Sequence, residues 1–173
     1  MFFLMNRIGI FYGSTTGNTE KLAQKIKANL EPGLVDIYNV KNATISDVEK
    51  YENLILGSST WGQGILQPDF EKFLNNILKS ANLKGKKIAI FGTGDSAIYP
   101  ESFADSIGII FEALEGKGVT FVGEFPTDGY KFESSLSLFG DKFVGLPLDD
   151  ESDEEQNKLR ISIWTDLIKL DMN

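Results

Sequence analysis

The chain has 173 residues, 42% hydrophobic and 24% charged, a mix that supports one folded domain with a real core and excludes wholesale disorder. Seventeen Lys and Arg against 25 Asp and Glu leave a net charge of -8, which repels the phosphates of nucleic acid and favours a basic protein partner. With neither cysteine nor histidine, the chain lacks disulfides, thiolate nucleophiles and the usual imidazole bases and metal ligands, so any redox chemistry must come from a cofactor.

Residues 1–5, Met-Phe-Phe-Leu-Met, are apolar but too short for a signal sequence and lack its basic flank, so they read as an overhang with Met5 an alternative start. No later apolar run approaches the ~18 residues a membrane span needs, and a cytoplasmic location without membrane insertion is expected. Residues 7–12 then form an apolar run of strand length. Directly after it comes Gly13-Ser14-Thr15-Thr16-Gly17-Asn18-Thr19-Glu20, followed by a helix that aligns Leu22, Ala23, Ile26 and Leu30. Further strand-like runs follow at 34–40, 53–59, 86–92, 119–124 and 143–148, most of them apolar throughout, as strands covered on both faces should be.

Residues 36–51 carry only a short helical stretch after Ser46. Longer helices are predicted at about 69–80, with Phe70, Phe73, Leu74, Ile77 and Leu78, and at 102–115, with Phe103, Ile107, Ile110, Phe111 and Leu114. Residues 125–142 are a Gly-, Ser- and aromatic-containing excursion that splits one edge strand into two pieces. The acidic run 149–155 introduces a final helix, where negative charge suits the N-terminal dipole; its apolar stripe is Leu159, Ile163, Leu167 and Leu170, with Trp164 packing beside it. Alternating strands and helices of this kind make an open parallel α/β sheet, here a single domain over residues 1–173.

In such a sheet ligands bind beyond the carboxyl ends of the strands, where the strand order reverses. Three loops qualify. The first, at Ser14 to Thr19, offers hydroxyls and the free N–H groups of a helix start but no lysine, and it departs from the Gly-Lys-Ser/Thr ending of a nucleoside triphosphate loop. These residues suit either a cradle for one terminal phosphate or a capped polar loop. The second loop carries Ser59, Thr60, Trp61, Gly62, Gln63 and Gly64. A tryptophan between flexible residues is costly to leave in water, which points to a flat ligand, and a type II′ turn over 61–64 requires positive φ at Gly62. The third loop, 92–100, includes Thr93, Gly94, Asp95 and a second exposed aromatic, Tyr99. Residues 92–97 satisfy G-x-G-x-x-A, but Ile98-Tyr99-Pro100 intervene before a helix can open, so the dinucleotide fingerprint lacks its structural context.

Together the segments GSTTGNTE, TWGQG and GTGDSAIYPESFADSIG resemble their counterparts in the flavodoxin family, in the same order and at similar spacing, and the match runs from about Asn6 to the last helix. The segment TDGYKFESS and the later DKFVGLPLD resemble the insertion of long-chain flavodoxins, nearest the cyanobacterial type. The resemblance implies a three-layer α-β-α fold with a five-stranded parallel sheet in order 2-1-3-4-5 and a long-chain insertion in the last strand. It implies FMN as cofactor: Ser14, Thr15, Thr16, Gly17, Asn18 and Thr19 on the phosphate, Trp61 and Tyr99 on opposite faces of the isoalloxazine, and backbone near Gly62, Gly64, Gly94 and Asp95 at its polar edge. Ser59, Thr60, Gln63, Thr93 and Ser102 complete the implied site. The implied role is a low-potential one-electron carrier, monomeric and without a substrate of its own, able to stand in for ferredoxin. Implied partners are redox proteins with basic docking surfaces, such as a ferredoxin-NADP reductase, ferredoxin-dependent reductases or a photosystem.

The chain departs from the family pattern at Ile65, where an acid is frequent, at Ile98, where Gly is frequent, and at Ser102, where Asn is frequent. The two isoleucines are either drift at a tolerant rim or a change in potentials and docking. An FMN-dependent NAD(P)H:quinone or flavin reductase on the same fold is the alternative, weakened by the missing histidine and the poor dinucleotide signal. A receiver domain is disfavoured because Ser58, Ser59 and Thr60 occupy the place of its phosphoacceptor aspartate.

Overall fold

The computed structural model describes residues 7–31 and 33–172, so the overhang read at 1–5 lies outside the described residues. In chain order the elements are β1 (Ile8–Gly13), α1 (Asn18–Asn29), β2 (Val35–Asn39), α2 (Ile45–Glu49), β3 (Asn53–Trp61), β4 (Ile65–Leu66) and α3 (Pro68–Phe73). They continue with β5 (Lys87–Gly94), α4 (Asp105–Leu114), β6 (Thr120–Phe121), β7 (Phe125–Pro126), β8 (Leu138–Phe139), β9 (Lys142–Phe143), β10 (Leu146–Asp149) and α5 (Glu154–Asp171).

The main sheet runs β10-β5-β3-β1-β2, all parallel, which is the expected 2-1-3-4-5 order counted over the five principal strands. Its central strands are apolar on both faces because helices cover both. Ile10, Phe11, Leu54, Ile55, Leu56, Ile88, Ile90 and Phe91 are all buried, with α1 packed against α5 on one face and α3 and α4 on the other.

The fifth strand is interrupted as the sequence indicates. β6 pairs with the start of β5, Lys87 opposite Thr120, while β10 pairs with its end, Phe91 opposite Leu146 through Gly94 opposite Asp149. Between the two pieces the excursion forms a three-stranded antiparallel sheet, β7-β9-β8. Phe103, Tyr130, Phe132 and Phe143 stack beneath it, and the Arg160 guanidinium lies 3.8 Å from the centre of the Tyr130 ring.

Three helix readings need correction. The stretch read as a helix over 69–80 is α-helical only to Phe73 and continues as a π-helical turn over Leu74–Leu78. The helix read from 102 starts at Asp105, because Ala104 adopts a left-handed φ of 52° that breaks the helical run before it. The stripe Leu159, Ile163, Leu167 and Leu170 does not pack: Leu159 is 60% exposed and Leu170 76%. α5 carries a second apolar row, Ile161, Trp164 and Ile168, and that row faces the core. Trp164 decides the choice, being fully buried with its indole N–H donating to the Gly123 carbonyl at 2.8 Å.

Candidate functional site

Register brings the three loops together. Gly13 of β1 lies opposite Ser58 of β3, and Ser58 lies opposite Gly92 of β5, so the chain leaves three neighbouring strands at nearly one level. The order β2-β1-β3 places the reversal between β1 and β3.

The first loop is held open from within. The Ser14 hydroxyl accepts the Gly17 N–H at 3.0 Å, and Gly17, at φ 90°, precedes α1 with no side chain capping the helix. Among the described residues no side chain accepts a first-turn N–H of α1, and the helix presents the positive end of its dipole there. Thr15, Thr16 and Asn18 are exposed around it, whereas Thr19 is buried beneath.

In the second loop the Trp61 indole N–H donates to the Ser59 hydroxyl at 3.0 Å, which satisfies the polar edge of a ring that remains 37% exposed. The turn that follows has the predicted signs. Gly62 has φ 50°, Gln63 is not in the left-handed region, and the Gly64 N–H returns to the Trp61 carbonyl at 3.2 Å. Thr60 and Ser106 exchange hydrogen bonds at 3.0 and 3.1 Å, and the Ser106 hydroxyl donates to the Ser58 carbonyl, tying the end of β3 to α4.

In the third loop Asp95 accepts the N–H groups of Ala97 and Ile98 through its side chain and that of Tyr99 through its carbonyl. The Asp149 carboxylate, buried at the end of β10, accepts both the N–H and the hydroxyl of Ser96. Tyr99 is 37% exposed, and neither Trp61 nor Tyr99 contacts another aromatic ring among the described residues. Two half-exposed rings on adjacent loops with no partner are what a flat ligand slotted between them would use.

Thr93 and Ser102 fall outside this open face. Thr93 is buried within β5 between Ser59 and Leu148, and Ser102 is buried in the wall of a cavity that Tyr99 also lines. Sequence reasoning missed Gln67, which is buried and donates to the Thr15 hydroxyl at 3.0 Å while accepting the Phe70 N–H, so one amide joins the first loop to the second. Its only sequence signal is its place before Pro68 at a helix start. It also missed Ser106 and Asp149, which brace the loops from behind. Burial pushes the Asp150 carboxyl up, reinforced by Asp95 and Asp149, while the Asn18 amide pulls the other way, so negative potential concentrates at this end of the sheet.

The donor set fits an aromatic phosphate ester: neutral hydroxyls and an uncapped helix start for the phosphate, two unpartnered rings for the aromatic part, and backbone-rich turns between them. Among the described residues no group of three or more His, Cys, Asp or Glu side chains that could hold a metal ion occurs.

The family described as flavodoxin matches residues 10–164. Flavodoxin of Synechocystis sp. is 40% identical over 166 residues, covering 95% of this chain and 97% of its own length. That of Buchnera aphidicola is 42% identical over 171 residues and 98% of both. A crystal structure of Fusobacterium nucleatum flavodoxin bound to flavin mononucleotide superposes with a TM-score of 0.90 at 31% identity, over 96% of this chain and 99% of that one. With the family match spanning residues 10–164 and relatives at about 40% identity over nearly the whole chain, the chain belongs to the flavodoxin family.

Proposed function

We propose that the protein is a one-electron carrier that holds FMN non-covalently at the ends of β1, β3 and β5. The carrying observation is the pair Trp61 and Tyr99, each 37% exposed and, among the described residues, stacked on no other ring, set beside a helix start with no side-chain cap. Bound there, FMN would supply the redox chemistry that a chain without cysteine or histidine lacks. Ser14, Thr15, Thr16, Gly17, Asn18 and Thr19 hold the phosphate with neutral donors. Trp61 and Tyr99 cover the ring faces, and the turn at Gly62, Gln63 and Gly64 with the backbone at Gly94 and Asp95 lines the polar edge, while Thr93 supports it from within β5. Ser59 fixes the Trp61 ring through its indole N–H, Thr60 anchors the turn to α4, and Ser102, its N–H donating to the Tyr99 carbonyl, borders the site.

The role is that of a shuttle between larger redox proteins, as a single domain and a monomer in the cytoplasm. No described helix is long and apolar enough to cross a membrane. The net charge of -8 fits basic docking surfaces such as that of a ferredoxin-NADP reductase. Ile65 and Ile98, 60% and 67% exposed, stand beside the two rings and add an apolar patch to that face.

The test is an anaerobic redox titration of the FMN-loaded protein, with NADPH added alone and with a reductase. Two separable one-electron steps, and reduction only through the reductase, support the carrier. Direct oxidation of NADPH contradicts it.

A further inference from the structure

Asp105 opens α4 but faces inward, with only 6% of its surface exposed. One carboxylate oxygen accepts the N–H of Leu136, in the 125–142 excursion, at 2.8 Å. The other lies against Gly64: a Cβ built on that glycine would sit 2.7 Å from it. No lysine or arginine forms an ion pair with Asp105 among the described residues. A buried carboxylate with one hydrogen bond and no cation is expensive, and capping the Leu136 amide alone needs no charge. Asp105 also lines a cavity of about 580 Å³ together with Gln63, Tyr99, Glu101 and Ser102. The same helix start, through Ser106, grips Thr60 and Ser58.

Resting on the FMN reading above, we propose that Asp105 is a positioning residue for the turn at 61–64, linking the excursion to the peptide that borders the flavin and so setting the first one-electron potential. The link is steric and electrostatic. A charged Asp105 puts a negative oxygen beneath Gly64 and disfavours any turn conformation that brings a peptide carbonyl toward it. A neutral Asp105 has a proton to donate to such a carbonyl. Burial pushes its carboxyl above the usual range, with the Leu136 amide opposing. Tyr99 and Glu101 are the titratable groups that share the cavity wall. The turn contributes only the uncharged Gln63 to that wall, and the excursion meets Asp105 through the Leu136 backbone.

Two measurements test this, one without flavin. In the ligand-free protein, amide resonances of Gly62, Gln63 and Gly64 are followed between about pH 4 and 8 with the Asp105 carboxyl carbon. The turn amides are expected to share the Asp105 midpoint and to lose it in Asp105→Asn. In the FMN-loaded protein the first potential of the parent carries an inflection at that midpoint. Asp105→Asn abolishes it with FMN affinity altered by less than about threefold, and Asp105→Glu keeps it. Turn amides that ignore the Asp105 midpoint, or superimposable potential profiles for parent and Asp105→Asn, overturn the proposal. Failure to bind FMN would refute the carrier function and leave the first measurement standing.

Discussion

Replacing Trp61 with alanine removes a ring that lies outside the core and is 37% exposed, so a measurable share of its cost should fall on the ligand. An aromatic side chain buries roughly 150–250 Å² when fully covered. With Trp61 already 37% exposed, about 55–90 Å² remains for a ligand to cover. At ~25 cal/mol per Å² that is about 1.4–2.3 kcal/mol, to which an offset-stacked pair adds roughly 0.5–1.5 kcal/mol. The sum, about 2–4 kcal/mol, predicts FMN binding weakened on the order of 30- to 1,000-fold. The indole donates one hydrogen bond, to Ser59, and lies outside the core, but roughly 95–160 Å² of it is already covered by the protein, so the ligand-free fold should lose about 2–4 kcal/mol while remaining folded. Calorimetric titration of the ligand-free protein with FMN, beside urea unfolding of both forms, separates the two quantities. FMN affinity within about threefold of the parent, or an unfolded variant, would refute the assignment of Trp61 to the site.

The two turn glycines should respond unequally. At Gly62 a Cβ meets open space and pays only for φ 50°, about 1–2 kcal/mol, whereas Gly64→Ala adds the 2.7 Å clash with Asp105 to a φ of 102°. Urea unfolding should show the larger loss at Gly64 and partial recovery in the Gly64→Ala, Asp105→Ala double variant; equal losses would mean the contact is not made. Two carboxylates should show opposite pH signs. Burial raises Asp36, but the hydrogen bonds from Arg7 and Tyr51 outweigh it and leave the carboxyl below its usual range. Its stabilisation is therefore present above the unfolded carboxylate pKa and lost as pH falls through the folded one, and Asp36→Asn should destabilise at pH 7 but not in acid. Asp105, raised by burial, loses stability as pH rises through its folded pKa, so Asp105→Asn should stabilise at pH 7 and become neutral in acid. Denaturation midpoints across pH check both signs. Association with a basic reductase should slow as salt rises, given the net charge of -8; stopped-flow rates indifferent to salt would transfer docking to Ile65 and Ile98.

The parallel strands were legible because strands covered on both faces are continuous apolar runs, and even the split fifth strand showed as two short runs around a polar excursion. Loop order was legible too, since each candidate loop directly follows such a run. What stayed hidden depends on contacts between distant residues. Gln67 reaches Thr15 across 52 positions and Asp105 reaches Leu136 across 31, and only the sheet register and the folded excursion bring them together. The final helix was misread because it carries two apolar rows, and periodicity alone does not say which row meets the sheet. At Ser14 to Thr19 the residues alone left cap and cradle equally open; the structure shows an uncapped helix, with Ser14 bonded to Gly17 inside the loop.

The central claim is that a neutral hydroxyl loop at the start of α1 recognises a phosphate while Trp61 and Tyr99 hold the ring attached to it. The most direct test is to titrate the ligand-free protein with FMN and with riboflavin, reading Trp61 fluorescence in a Trp164→Phe background. FMN should bind at one per chain and quench Trp61. Riboflavin should bind at least about 100-fold more weakly, because the loop donors are then left without their acceptor. Equal affinity for the two, or no quenching by either, would contradict the account.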